Sequence, residues 1–230
     1  MRGVRDGTYS DVALEYYDPV RHPTSANFRE ASRALMRPWL RQYATPAASV
    51  LETGAGDSIV GEWMQKERRT VARFVASDLS LEMLRYSRQR KGGTNLVVCD
   101  AQRLPLADGA FDLVAASLAD PYNTSLFWRE AARVLRPGGH VLFTSPSFEW
   151  AQRFRGGARI AEFVRADGEV LMLPSNVDTD NAQRDLIGAC GLEVLRAEFV
   201  TDTELHETVR SPKLRSGSIV SGYLARRPRE

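Results

Sequence analysis

The chain has 230 residues, with 31 basic and 29 acidic side chains, a formal net charge of +2 and 43% hydrophobic residues. That length suits one domain with a sizeable core, and the near-neutral charge gives no strong electrostatic case for a nucleic-acid partner. No apolar run reaches the ~18 residues of a membrane span, residues 1–6 lack the apolar core of a secretory signal, and Cys99 and Cys190 are too few for a disulfide framework, so a reduced cytoplasmic protein is expected.

In chain order, residues 1–20 hold Tyr9, Tyr16, Tyr17 and Pro19 without clean periodicity. Phe28, Ala31, Leu35, Trp39 and Leu40 then recur at helical spacing across 25–43, with Thr24 or Ser25 as the cap. Pro38 is expected to kink or end that helix. Residues 1–45 therefore read as an N-terminal helical cap segment and 46–230 as an α/β domain, together one structural unit. Within it, strands are expected near 48–53, 71–77, 95–99, 111–117 and 139–145, and helices near 58–69, 80–90 and 124–136, an alternation that implies βαβ crossovers and a mostly parallel sheet. Pro137-Gly138-Gly139 stops the last helix and turns the chain into the fifth strand, with His140 a structural residue at that turn. Beyond Pro146 a short helix over 148–154 ends at Gly156-Gly157. Runs 161–165 and 169–173 flank Asp167-Gly168 as a hairpin, 181–189 is a helix ended by Gly191, and 192–200 is the closing strand.

The segment Val50-Leu51-Glu52-Thr53-Gly54-Ala55-Gly56-Asp57-Ser58 joins an apolar run to a glycine turn and a helix start, the signature of a nucleotide-sized ligand site. Asp78 ends the next apolar run at about the ~20-residue offset of a ribose-binding carboxylate. A dinucleotide would call for G-x-G-x-x-G and a helix N-terminus aimed at its pyrophosphate. The chain instead reads Glu52-x-Gly54-x-Gly56-x-Ser58, and an acid at Glu52 repels a pyrophosphate while it suits an ammonium group, reached directly or through water. That combination fits S-adenosylmethionine, which carries an amino acid and a sulfonium but no phosphate.

These residues resemble the class I S-adenosylmethionine-dependent methyltransferases, through four ordered segments between about 50 and 145. Glu52 to Ser58 is similar to E/D-x-G-x-G-x-G, with Ser58 replacing the third glycine. Ser77-Asp78-Leu79-Ser80-Leu81-Glu82-Met83-Leu84 is similar to D-x-S-x-x-M-L, and Cys99-Asp100-Ala101 with Leu104-Pro105-Leu106 and Phe111-Asp112-Leu113-Val114 to D-A-x-x-L-P-F and F-D-x-V. Glu130 to Gly139 resembles the helix and turn before the fifth strand. The resemblance implies a doubly wound, mostly parallel seven-stranded sheet with helices on both faces, its last strand antiparallel, plus an extra β-hairpin near 161–173. It implies S-adenosyl-L-methionine as cofactor, held by Glu52, Gly54, Ala55, Gly56, Asp78, Leu79, Met83, Asp100, Ala101 and Ser117, with no metal. The segment before the first strand is expected to fold over the cofactor, its tyrosines either touching substrate or packing the helix on the core. The hairpin is expected to serve as a lid over the substrate or as a dimer surface.

Ser117-Leu118-Ala119-Asp120-Pro121-Tyr122-Asn123 only loosely matches the D-P-P-Y or N-P-P-Y signature of enzymes that methylate amino groups. Methyl transfer from a sulfonium is an in-line displacement that mainly requires orientation. An alcohol acceptor also needs a base, for which the chain offers His22, His206, Asp120 and Tyr122. The expected activity is methylation of an O or N atom of a small-molecule acceptor. An enzyme acting on RNA or another macromolecule, and a non-catalytic S-adenosylmethionine-binding protein, are the alternatives. Arginine supplies 28 of the 31 basic residues, with Arg226, Arg227 and Arg229 crowding the C-terminus. Phosphate contacts and GC-rich codon usage both account for that bias, so nucleic acid stays a minority partner.

Overall fold

The computed structural model describes residues 4–90, 95–155, 159–205, 209–214 and 217–229. The elements run β1 (Val4–Asp6), α1 (Tyr9–Val12), α2 (Pro23–Tyr43), β2 (Ser49–Thr53), α3 (Ile59–Lys66), β3 (Arg73–Asp78), α4 (Leu81–Arg90), β4 (Asn95–Val98) and β5 (Phe111–Ala116). They continue with α5 (Ser125–Val134), β6 (Leu135–Pro146), α6 (Phe148–Arg155), β7 (Ile160–Val164), β8 (Val170–Pro174), α7 (Asp180–Ala189), β9 (Glu193–Thr201) and β10 (Ser218–Arg226).

Seven strands form one sheet in the order β4-β3-β2-β5-β6-β10-β9. Pairing is parallel from β4 to β6, and β10 is antiparallel to both of its neighbours. Both faces are covered, because successive strand residues point to opposite sides and each side finds apolar partners. Leu51, Val114, Val141 and Tyr223 pack with Phe127, Trp128 and Ile187 of α5 and α7, whereas Val50, Leu113, Leu142 and Leu224 pack with Trp39, Val60 and Leu84 of α2, α3 and α4. Among the described residues no helix is long and apolar enough to cross a membrane.

The strand expected to close the sheet, 192–200, lies instead at its edge as β9, and the antiparallel strand beside β6 is β10, which the sequence pattern does not reveal. Ser218, Ser221 and Gly222 interrupt its apolar run, yet Gly222 is what lets α2 approach. A Cβ there would stand 3.0 Å from both Leu35 Cδ1 and Trp39 Cη2. Helix α2 also departs from expectation. It begins at Pro23, which serves as a first-turn residue after His22, and runs unbroken through Pro38. Pro38 and Ala34, whose carbonyl loses its usual donor, are both exposed, so that carbonyl is open to solvent while Trp39 and Leu40 hold the helix on the core.

Helix α5 stops at Val134, and Pro137-Gly138-Gly139 lies within the extended β6. The C-terminal arginines serve this region. Arg227 donates through Nη1 to the carbonyls of Ala132 at 2.9 Å and Leu135 at 2.6 Å, capping α5, and Arg226 pairs with Glu193 at 2.6 Å. His140 stacks beside Tyr43, ring centroids 4.1 Å apart, in the structural role expected of it.

The hairpin is β7 and β8, one residue outside the expected bounds at the outer ends, and β1 adds to it in parallel through Val4, Arg5 and Asp6. The resulting three-stranded sheet packs Phe163, Leu171 and Leu173 against Val12, Tyr9 and Tyr16. The N-terminal segment is thus part strand and part helix, tied to the hairpin. Gly156, Gly157 and His206 lie outside the described residues.

The fit at Gly222 makes a direct prediction. Gly222→Val raises strand propensity but forces two branches into α2, so the protein loses about 1–3 kcal/mol of stability in urea unfolding. An unchanged or higher midpoint would show that Leu35 and Trp39 yield freely.

Candidate functional site

Sheet order reverses beside β2, where the chain crosses from β4 back to β5, and ligands of open α/β sheets sit at such a point beyond the carboxyl ends of the strands. The structure has a cavity of about 410 Å³ there, within the roughly 300–1,000 Å³ of small-molecule sites. Its floor is the turn after β2. Gly54 and Gly56 have φ of 57° and 43°, a region that disfavours any side chain, and a Cβ on either would collide with the phenol of Tyr122 or Tyr17 respectively.

Six successive amides of this turn and the start of α3 are consumed inside the protein. Ala55 N donates to Ser77 O at 2.9 Å, Gly56 N to Asp78 Oδ2 at 3.0 Å, Asp57 N to Tyr17 Oη at 2.7 Å and Ser58 N to Ser87 Oγ at 3.3 Å. Ile59 N and Val60 N donate to Glu52 Oε1 at 2.8 and 3.2 Å, and Ser58 Oγ donates to Glu52 Oε2. Ser58 therefore replaces a glycine with a purpose, since its hydroxyl also accepts from Gly61 N at 2.8 Å and caps α3. The positive end of the α3 dipole is neutralised by a buried carboxylate. An incoming pyrophosphate would find neither free donors nor a favourable field.

Glu52 is 1% exposed and stands behind the turn rather than on the cavity wall. The sequence places this carboxylate on a ligand ammonium group; the structure turns both of its oxygens to the start of α3, because the stranded helix amides need an acceptor more than a solvated ligand does. The other expected cofactor residues are brought together. Gly54, Ala55, Asp78, Leu79, Met83, Asp100, Ala101 and Ser117 all line the cavity, while Gly56 contributes the bend beneath it. Asp78 accepts from Gly56 N and, at 2.9 Å, from Ser80 N. Burial pushes its carboxyl above the usual range, with those two N–H bonds opposing the shift. Each oxygen keeps a lone pair for a ligand hydroxyl. Asp100 is oriented by Gln102 N at 2.8 Å. Leu118, after Ser117, has φ of 50° and is held there by its N–H bond to Thr144 Oγ1 at 2.9 Å, backbone strain of the kind found at ligand sites.

Of the base candidates among the described residues, only Tyr122 reaches the cavity. Its hydroxyl donates to the carbonyl of Thr53 at 2.9 Å, and burial pushes its pKa well above the phenol range, so it is a donor and a wall rather than a base. Asp120 is turned away to accept from Ser175 Oγ at 2.6 Å, with burial raising its pKa. Asn123 joins Trp128 Nε1 at 2.8 Å and Gln183, so of Asp120-Pro121-Tyr122-Asn123, the part loosely like D-P-P-Y, only Pro121 and Tyr122 line the cavity. His22 stacks on Phe163, ring centroids 4.0 Å apart, off the wall, and burial lowers its pKa.

The roof is what sequence reading covered least. Residues 7–10, Tyr16, Tyr17 and Pro174 line the cavity from the N-terminal segment and β8. Burial pushes the Tyr16 phenol up to about 12. Arg29 enters from α2, its guanidinium 4.4 Å from the Tyr17 ring centre. Nothing in the sequence singles out Arg29; one turn on, the Ser32 hydroxyl bonds Ser117 Oγ at 2.7 Å and so fixes that helix face over the end of β5.

Residues 51–143 match the family model described as a methyltransferase domain. The chain is 38% identical over 100 residues, 43% of its length and 39% of the relative's, to malonyl-[acyl-carrier protein] O-methyltransferase of Pseudescherichia vulneris. It is 34% identical over 173 residues, 74% of its length and 65% of the relative's, to the protein of that name from Enterobacter lignolyticus. Among solved structures, 1,6-didemethyltoxoflavin-N1-methyltransferase of Burkholderia thailandensis, with bound 1,6-didemethyltoxoflavin and S-adenosylhomocysteine, superposes with a TM-score of 0.58 at 18% identity, covering 95% of this chain and 86% of that one. The chain spans about two fifths of the length of the first of these relatives.

The role of Glu52 is open to a stability test. Glu52→Gln replaces one acceptor oxygen by a donor facing N–H or O–H groups, so the protein loses about 1–3 kcal/mol in urea unfolding. Unchanged stability would return Glu52 to a purely ligand-facing role.

Proposed function

Given that the chain belongs to the class I S-adenosylmethionine-dependent methyltransferase family, we propose that it transfers a methyl group from S-adenosylmethionine to an oxygen or nitrogen atom of a small molecule. One observation carries the choice of cofactor. The turn combines a glycine bend, two carboxylates at the ends of β3 and β4, and a helix start whose amides are already bonded to Glu52. Such a floor accepts a nucleoside with hydroxyl and amine donors, and it rejects a diphosphate.

When bound, S-adenosylmethionine supplies a methyl carbon on a sulfonium, a leaving group that departs without protonation. The work left to this chain is orientation, which is worth about 7–11 kcal/mol when a bimolecular step becomes effectively unimolecular. Asp78 and Asp100 accept hydrogen bonds from the ribose and the adenine amine, with Leu79, Met83 and Ala101 packing on the base. Tyr122 braces the far side of the turn, and Leu118, held in its strained conformation, shapes the wall beside it.

The size of the acceptor follows from the roof. Tyr16, Tyr17, residues 7–10 and Pro174 cover the cavity, which suits a small acceptor that is enclosed and shielded from water. The arginine-rich C-terminus gives a macromolecular acceptor little support, because Arg227 and Arg226 are engaged by α5 and Glu193.

Titration calorimetry tests the cofactor directly. S-adenosylhomocysteine binds the wild type and NAD does not, and Asp78→Ala weakens binding about 10- to 100-fold, as the loss of hydrogen bonds to a charged acceptor would. Absence of binding to wild type, or wild-type affinity in Asp78→Ala, would refute the reading.

A further inference from the structure

Of the residues of the glycine turn, Gly54 and Ala55 line the cavity and Gly56 does not. Tyr17 is the reason. A Cβ on Gly56 would collide with the Tyr17 hydroxyl, so the phenol lies on the very face that the absent side chain leaves free. A glycine at this point of an α/β sheet serves to let backbone and ligand approach closely. Here a side chain of the same protein has taken that approach.

The hydrogen bonds of the turn single out the same residue. Five of its six amides are bonded from β2, β3 and α4, namely Ala55 N to Ser77 O, Gly56 N to Asp78, Ser58 N to Ser87, and Ile59 N and Val60 N to Glu52. The sixth, Asp57 N, donates at 2.7 Å to Tyr17 Oη, which comes from the chain between α1 and α2 and belongs to neither helix. One donor of the floor is thus satisfied by the roof. The Tyr17 ring stands edge-on to Tyr86 and Tyr16, with centroids 4.8 and 5.1 Å apart, and the Arg29 guanidinium lies 4.4 Å from its centre. Burial pushes the phenol well above its usual range, so its oxygen is a neutral acceptor, and bonds between neutral groups are the weaker kind.

Resting on the proposed cofactor, we infer that Tyr17 is an autoinhibitory plug: its phenol competes with S-adenosylmethionine for the Gly56 face of the turn, and the cofactor seats when that phenol releases Asp57 N. Two arrangements of the site follow, with either Tyr17 or the ligand on the turn. The apparent affinity is then lowered in proportion to the fraction of molecules whose turn is free. Ring packing keeps Tyr17 poised above the floor, while a single neutral hydrogen bond holds it down.

Calorimetry with S-adenosylhomocysteine compares the wild type with Tyr17→Phe, which keeps the ring and removes the hydroxyl. Loss of the bond to Asp57 N frees the turn, so the variant binds about 3- to 10-fold more tightly, and stopped-flow mixing shows the gain as faster association. Unchanged affinity overturns the inference, and so does weaker binding, which would make the hydroxyl a ligand contact. The wild type gives a second answer without any variant. In crystals grown with S-adenosylhomocysteine, Tyr17 Oη has left Asp57 N; a bond still at 2.7 Å beside the bound nucleoside overturns the plug and leaves the cofactor reading standing. Failure of both proteins to bind S-adenosylhomocysteine would overturn the cofactor reading itself, and the plug with it.

Discussion

The site depends on a carboxylate buried where a phosphate would otherwise go. Glu52 ends a strand and its oxygens take the amides of Ile59 and Val60 and the hydroxyl of Ser58. With that one contact the strand, the glycine bend and the helix become a single rigid corner, and the anion-attracting end of the helix is silenced. Fold and ligand choice thus share a cause. The same corner that secures α3 against β2 excludes diphosphate cofactors and leaves the outer lip of the turn to a neutral or cationic nucleoside.

The upper half of the site is built from chain far away in sequence. Residues 4–6 pair with Val170 to Met172, which carries Tyr16 and Tyr17 over the glycine turn, and α2 delivers Arg29 from the side. A site assembled this way is enclosed without a separate domain. The roof of the cavity thus comes from the N-terminal segment and the hairpin, whereas its floor comes from strand ends of the shared sheet.

That division explains what was legible in the sequence. Strands β2, β3, β4 and β5 are local features, apolar runs ended by glycine, aspartate or serine, and the residues they announce, Gly54, Asp78, Asp100 and Ser117, meet at one cavity. β10 was hidden because Gly222 and two serines break its apolar pattern, and its glycine answers to Trp39 on another element. Pro38 misled because its cost depends on which face of α2 it occupies. The bearing of Glu52 is not legible because a motif gives a position and not the partner, and the amides of Ile59 and Val60 that claim it become visible only in three dimensions. His22 and Asp120 were sound by residue type, yet Phe163 and Ser175, distant in sequence, claim them.

The most direct measurement of the central claim is a crystal structure of the protein grown with S-adenosylhomocysteine. The account predicts the ribose hydroxyls on Asp78, the base between Leu79 and Ala101, and Glu52 still bonded to the start of α3. Density for the nucleoside away from Asp78, or a Glu52 side chain released from Ile59 and Val60 to face the ligand, would contradict it.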